Sequence, residues 1–118
     1  MRRDLSVHIL FSTSKLEKTC CEAKARVKAY GPECGKMLGR RLDDMKAATT
    51  LAVLGALPQA KAHELAGDRR GQLAVSLKHP QRLIFEPANS PVPTKSDGGL
   101  DWERVTTIRI LEVVDYHG

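Results

Sequence analysis

The hydrophobic pattern in the first half of the chain predicts one strand followed by two helices. Apolar and polar residues alternate over residues 5–11, which is the period of a half-buried strand. Residues 14–17 then have the spacing of a capping box, in which a hydroxyl and a carboxylate satisfy free amides at a helix start. Apolar residues recur every three or four positions up to Gly31, and a second helix of the same kind begins at Pro32. The predicted buried stripes are Leu16, Cys20, Ala23, Val27 and Tyr30 in the first helix and Leu38, Leu42, Met45 and Ala48 in the second.

The hydrophobic period changes to two after residue 72. Leu73, Val75 and Leu77 alternate with small or polar residues, residues 78–81 are typical of a turn, and residues 82–86 return as the partner strand. This segment therefore predicts an antiparallel hairpin.

The faces of this hairpin follow from the alternation of its side chains. If Leu83 and Phe85 pack on the helices, Arg82 points to the opposite face of the sheet. The same alternation places Lys78 on that opposite face. We therefore expect the two cations to lie together near the turn.

Three other segments complete the predicted architecture. Residues 51–57 are apolar but short, so they fit either a helical turn or a packed loop. Residues 87–101 are rich in turn formers and predict a long loop, whereas residues 105–114 are dense in β-branched residues and predict a central strand. The order strand, helix, helix and three strands gives an α+β fold, with an antiparallel-rich sheet and helices on one face. At 118 residues, we expect a single domain over 1–118.

Composition narrows the class of partner. The net charge is +5 and the pI is about 9.3, which favours a polyanion or an acidic protein. Aromatic residues make up 4% of the chain, too few for a platform that stacks several bases. Recognition of a nucleic acid would therefore depend on its phosphates.

The cysteines and the N-terminal segment indicate the compartment. The three cysteines are odd in number, and Cys20 and Cys21 are adjacent on a predicted helix, so a reduced, cytoplasmic chain is expected. No C-x-x-C pair is present, and we predict neither a metal site nor a cofactor. The apolar stretch near the N-terminus is too short for a signal peptide or a membrane span, so no membrane partner is expected.

A set of polar residues could carry out metal-free RNA cleavage. That reaction needs a base for the ribose 2′-OH, an acid for the leaving 5′-oxygen, and cations that stabilise charge on the phosphorane. Histidine suits the acid and base roles, and arginine binds phosphate through two donors. The candidate residues are His63, Arg69, Arg70, Lys78, Arg82, Tyr116 and His117.

Each candidate also has a simpler interpretation. Arg69 and Arg70 could be solvated loop charges, and Lys78 could protect a hairpin turn against aggregation. Residues 116–117 could be a frayed chain end. The residue types alone leave these alternatives open.

Three segments together resemble the HigB branch of the RelE/ParE superfamily. They are residues 63–78 (HELAGDRRGQLAVSLK), 82–85 (RLIF) and 114–117 (VDYH). The family pattern has a His-Pro-Leu-Lys-Gly-Asp run, a tryptophan-bearing strand, a return strand with an arginine, and a terminal Asp-Tyr-His. The resemblance implies the toxin of a type II toxin–antitoxin system, a ribosome-dependent mRNA endonuclease that is inhibited by a HigA-like helix-turn-helix antitoxin.

The resemblance also implies roles for individual residues. Arg82 would stabilise the phosphate, His117 would act as acid or base, and Tyr116 would position RNA. Lys78 and Arg69 would neutralise the RNA backbone, with His63 as a further catalytic candidate.

The chain departs from the family pattern at several positions. Ala66 stands where the family has lysine, and Leu73 and Gln81 replace tryptophans. The long 87–101 loop is similar to that of a subgroup labelled killer or killer-suppression proteins. Two other functions therefore stay open: a ParE-like inhibitor of a topoisomerase, and an inactive homologue that only binds its antitoxin.

Overall fold

The computed structural model describes residues 6–115, and these form an α+β fold. Within that range there are four α-helices and a five-stranded mixed sheet. The helices are α1 (Ser14–Cys21), α2 (Ala23–Tyr30), α3 (Pro32–Ala47) and α4 (Leu51–Gly55). The strands are β1 (His8–Phe11), β2 (His63–Glu64), β3 (Leu73–Ser76), β4 (Gln81–Pro87) and β5 (Thr107–Asp115). Two short 3-10 turns cover Gly67–Arg69 and Trp102–Arg104.

The sheet has the strand order β1-β5-β4-β3-β2. The β2–β3, β3–β4 and β4–β5 pairs are antiparallel, as the sequence predicts for most of the sheet. The β1–β5 pair is parallel, with Ile9 opposite Ile108. The short β2 is an addition to the predicted order, and it extends the sheet beyond the hairpin.

Helix α3 provides much of the core, as its hydrophobic spacing predicts. Leu38 and Met45 are 0% exposed and Leu42 is 4% exposed. They belong to one cluster with Leu73 and Phe85 of the sheet. Burying each of these large side chains contributes roughly 1.5–3 kcal/mol, so this contact fixes the helices on one face of the sheet.

The prediction of one continuous helix over residues 14–30 is wrong. The backbone of Glu22 is extended (φ −115°, ψ 125°), and this residue separates α1 from α2. The break takes Ala23 and Val27 out of the predicted stripe, and Val27 is 41% exposed. The break is accompanied by a close approach of α2 to α3, since a Cβ on Gly35 would be 2.9 Å from the Arg26 carbonyl carbon.

The start of α1 is also one residue earlier than the capping box suggests. Thr13 is the N-cap, and its Oγ1 accepts a hydrogen bond of 3.0 Å from the Leu16 amide. Ser14 is the first helical residue.

Side chains of the loop between β4 and β5 connect the second half of the chain through hydrogen bonds. The Asn89 Oδ1 accepts hydrogen bonds of 3.0 Å from the amides of Thr106 and Thr107. The Trp102 indole lies against Gly55 of α4, and its N–H donates to the Glu64 carboxylate at 2.8 Å. The loop therefore packs back on α4 and on the edge strand β2. No helix in the described range is long and apolar enough to span a membrane.

Candidate active site

The sheet has one face that the helices leave uncovered, which we call the open face. It carries a small apolar cluster of Leu65, Ala74 and Ile84, with the partly buried Leu111 and Val114 packed against it. Polar side chains surround this cluster. The polar residues on strands are assigned to this face from the residues that they pair with across the sheet, and Arg69 is assigned from its contact with Glu112.

Arg82 lies on the open face, as the sequence predicts. It follows from the alternation in β4, where Leu83 and Phe85 join the helix-side core. Arg82 is directly opposite Ser76 of β3 and Val114 of β5.

The guanidinium of Arg82 is half-buried, and within residues 6–115 it makes one hydrogen bond. Its Nη1 donates to the Gln81 carbonyl oxygen at 3.2 Å. None of the ion pairs within residues 6–115 includes Arg82. A guanidinium presents five N–H donors and keeps its charge at all physiological pH values. Arg82 is therefore equipped to bind an anion such as a phosphate.

Arg69 occupies the same face but is paired. Its Nη1 donates at 3.0 Å to both the Gln72 Oε1 and the Glu112 Oε2. The Arg69 and Glu112 side chains are 30% and 48% exposed. An ion pair this accessible contributes about 0–1 kcal/mol, so a phosphate can replace the carboxylate at low cost.

His63 lies at the edge of the open face. It is paired with Ala74 across β2 and β3, and its ring is exposed. The Nδ1 atom is 2.9 Å from the Lys61 carbonyl oxygen. Because a carbonyl can only accept, this contact requires the proton on Nδ1 and leaves Nε2 as the acceptor of a neutral ring. That nitrogen could take a proton from a substrate.

The prediction that Lys78 lies beside Arg82 on the open face is wrong. The Lys78 Nζ is 3.4 Å from the Glu33 carboxylate on α3, which is on the helix side. Regular strand geometry ends at Ser76, so the alternation no longer fixes the direction of the Lys78 side chain. Arg70 follows the first 3-10 turn and is exposed.

Tyr116 and His117 lie outside the described residues, and their roles stay predictions. The last described residue of β5 is Asp115, which is paired with Gln81 at the start of β4.

Two polar contacts on the open face were not found from the sequence. One is Glu112, which is opposite Ile84 and holds Arg69. The other is the cross-strand pair of Arg109 and Glu86, at 2.8 Å. A signal was present for Glu112, since a lone acid in an apolar central strand needs a polar partner or access to water.

The two buried cysteines, Cys20 and Cys34, are free thiols and are poor nucleophiles. Burial raises the pKa of the Cys20 thiol to about 11, and burial also raises the pKa of the Cys34 thiol. Both therefore stay protonated at neutral pH, whereas thiol chemistry needs the thiolate. No three His, Cys, Asp or Glu side chains cluster for metal binding within residues 6–115.

Comparison with known proteins gives a match in structure. No protein-family model matches this sequence, and no curated protein matches it. A chain of the "YoeB-YefM complex from Staphylococcus aureus" aligns with a TM-score of 0.53 and 15% sequence identity. The two chains share a fold. The alignment covers 95% of this chain and 98% of that one, so the likeness extends over both helical and sheet layers.

Proposed function

We propose that this protein is the toxin of a type II toxin–antitoxin pair and that it cleaves mRNA on the ribosome in the cytoplasm. The observation that carries the proposal is Arg82, a guanidinium without an acidic partner among residues 6–115, on the open face of the sheet. The structural neighbour comes from a YoeB–YefM toxin–antitoxin complex, which supports a RelE-like toxin and an antitoxin as partner. The HigB-like branch, with a HigA-like antitoxin, is the narrower form of this proposal.

The reaction proposed is metal-free transesterification of RNA. A base removes the proton of a ribose 2′-OH, and the 2′-oxygen attacks the adjacent phosphorus. The bond to the 5′-oxygen breaks, an acid supplies a proton to that oxygen, and the products carry a 2′,3′-cyclic phosphate and a 5′-OH. Arg82 stabilises the added charge on the phosphorane oxygens.

The other candidates take supporting roles in this proposal. His117 exchanges protons with the reacting oxygens, and Tyr116 positions the RNA. His63 is a second proton acceptor, through its Nε2 atom. Arg69 binds a neighbouring phosphate by exchange with Glu112, and Arg70 adds positive charge at the rim. Lys78 is the weakest candidate, since its ammonium group is paired with Glu33 on the helix side.

The test is a short induced pulse of the protein in bacterial cells, followed by primer-extension mapping of mRNA. The Arg82→Ala variant is compared with Arg40→Ala, which removes an exposed arginine from α3. We expect cuts within translated reading frames for the wild-type protein and for Arg40→Ala, and none for Arg82→Ala.

Other outcomes would point to the two alternatives. Growth arrest with intact mRNA would indicate a ParE-like inhibitor of a topoisomerase. No effect on growth or mRNA would indicate an inactive homologue that binds its antitoxin. Ala66 favours this last alternative, because an exposed alanine stands where the family pattern has a cation.

A further inference from the structure

Arg41 is a buried cation that connects the helical layer to the hairpin. Arg41 is 4% exposed, and among residues 6–115 it is the one charged residue that is buried. Its Nε donates to the Ser76 carbonyl oxygen at 2.9 Å, and its Nη1 is 3.1 Å from the Asp44 carboxylate. Burying a guanidinium is costly unless its donors are satisfied. The geometry shows where they are satisfied: one contact lies within α3 and the other reaches the sheet.

The Ser76 carbonyl needs this donor because the sheet ends there. The edge strand β2 pairs with Leu73 and Ala74 and does not extend to Ser76. Beyond β2, the outer edge of β3 is completed by other groups. The Ser76 amide donates to the Ala60 carbonyl oxygen at 2.8 Å, and its carbonyl accepts from Arg41. Arg41 therefore takes the place of a missing strand at this position.

Ser76 is the residue directly opposite Arg82 in the β3–β4 ladder. A hydrogen bond that fixes the Ser76 backbone also fixes the strand segment from which the Arg82 side chain extends. Helix α3 contacts the same end of the hairpin at Lys78, through the ion pair between Glu33 and the Lys78 ammonium. The hairpin is thus braced from the helix side at residues 76 and 78.

We propose that Arg41 is a positioning residue for Arg82. It acts through the Ser76 carbonyl and touches no substrate, since it lies in the helical layer while Arg82 faces the opposite side of the sheet. The inference rests on the proposed function, because Arg82 is the phosphate-binding group only if the protein cleaves RNA. A displacement of about 1 Å at a catalytic group can lower a rate by about a hundredfold.

The test uses Arg41→Met and Arg41→Lys, with Arg40→Met as the matched control. Arg40 is the preceding residue on α3 and is exposed. Two quantities are measured on the purified full-length proteins: kcat and KM for mRNA cleavage in a reconstituted translation system, and hydrogen exchange of backbone amides. The exchange measurement needs no activity, so it also reports on a protein that cleaves nothing.

We expect Arg41→Met to lower kcat by about tenfold or more with little change in KM. Amides of the β3–β4 hairpin should exchange faster, while those of β1 and its contact with β5 keep their protection. Arg41→Lys should recover part of the rate, because an ammonium can still donate to the Ser76 carbonyl. Arg40→Met should behave as wild type in both measurements.

Specific results would overturn the inference. Wild-type kcat in a folded Arg41→Met protein would do so, and so would equal loss of protection across the whole sheet, which indicates a general structural role. If Arg41→Met does not fold, Arg41→Lys is compared with wild type instead; a reduced kcat and partly reduced hairpin protection are expected of it, and wild-type values in both measurements would overturn the inference. If the wild-type protein cleaves no mRNA, the proposed function fails, and unchanged exchange in the hairpin would separately exclude the bracing by Arg41.

Discussion

The Arg69 guanidinium lies 3.0 Å from the Glu112 carboxylate across the open face of the sheet. Arg82, on the same face, makes no such pair within residues 6–115. Of these two arginines, Arg82 has no acidic partner among residues 6–115, whereas Arg69 must release Glu112 before it can bind another anion.

Glu112→Gln should strengthen RNA binding. The substitution removes the carboxylate that competes with phosphate for Arg69, while Gln72 still orients the guanidinium. The exposed ion pair is worth about 0.2–1 kcal/mol, so we expect an increase in affinity of up to about fivefold at low salt and a smaller one at high salt. The measurement is fluorescence anisotropy with a single-stranded RNA. Glu103→Gln, an exposed acid outside the open face, is the control, and an equal effect of both variants would contradict a role for the Arg69 pair.

Gly55→Ala should destabilise the fold. A Cβ at this position would lie 2.7 Å from the Trp102 Cζ3 atom, so the indole or α4 must move. Movement of the ring also strains its hydrogen bond to Glu64. Overpacking of this kind costs about 1–3 kcal/mol, which urea denaturation would measure. Val53→Ala on the same helix is the comparison, since Val53 is 44% exposed and should change stability by less than about 0.5 kcal/mol.

Leu38→Ala and Val27→Ala should differ sharply in stability. Both residues belong to the predicted helical stripes, but Leu38 is 0% exposed and Val27 is 41% exposed. We expect a loss of about 2–5 kcal/mol for Leu38→Ala and a change within about 0.5 kcal/mol for Val27→Ala. Thermal and urea unfolding would measure both. A large loss for Val27→Ala would mean that residues 14–30 form one continuous helix with Val27 in the core.

Stability should fall as the pH rises from about 9 to 11. Burial raises the pKa of the Cys20 thiol from an ordinary 9.0 to about 11. Between these values the unfolded chain releases the thiol proton and the folded chain keeps it, so the unfolded state gains relative stability. The contribution of Cys20 is full below pH 9 and is lost as the pH rises through the folded pKa. Urea unfolding at pH 8 and pH 10 would measure the loss, and Cys20→Ala should show a smaller pH dependence. An unchanged dependence would assign the effect to other groups.

The sequence alone was sufficient where structure follows from local periodicity. The spacing of three and four residues identified the buried face of α3, because a helix repeats its faces every 3.6 residues. The period of two identified the hairpin and put Arg82 on the face away from Leu83 and Phe85, as the register shows. The α+β class followed from the order of these elements.

Contacts between distant segments decided the rest. The break at Glu22 accompanies the close approach of α2 and α3, and the Lys78 ammonium pairs with Glu33 on the distant helix α3. The β4–β5 register contains an irregularity between Ile84 and Phe85, so alternation along β5 could not show that Glu112 meets Arg69. The support that Arg41 gives to Ser76 also depends on how α3 docks on the sheet. Local periodicity determines which face a side chain takes, whereas only packing determines which partner it meets there.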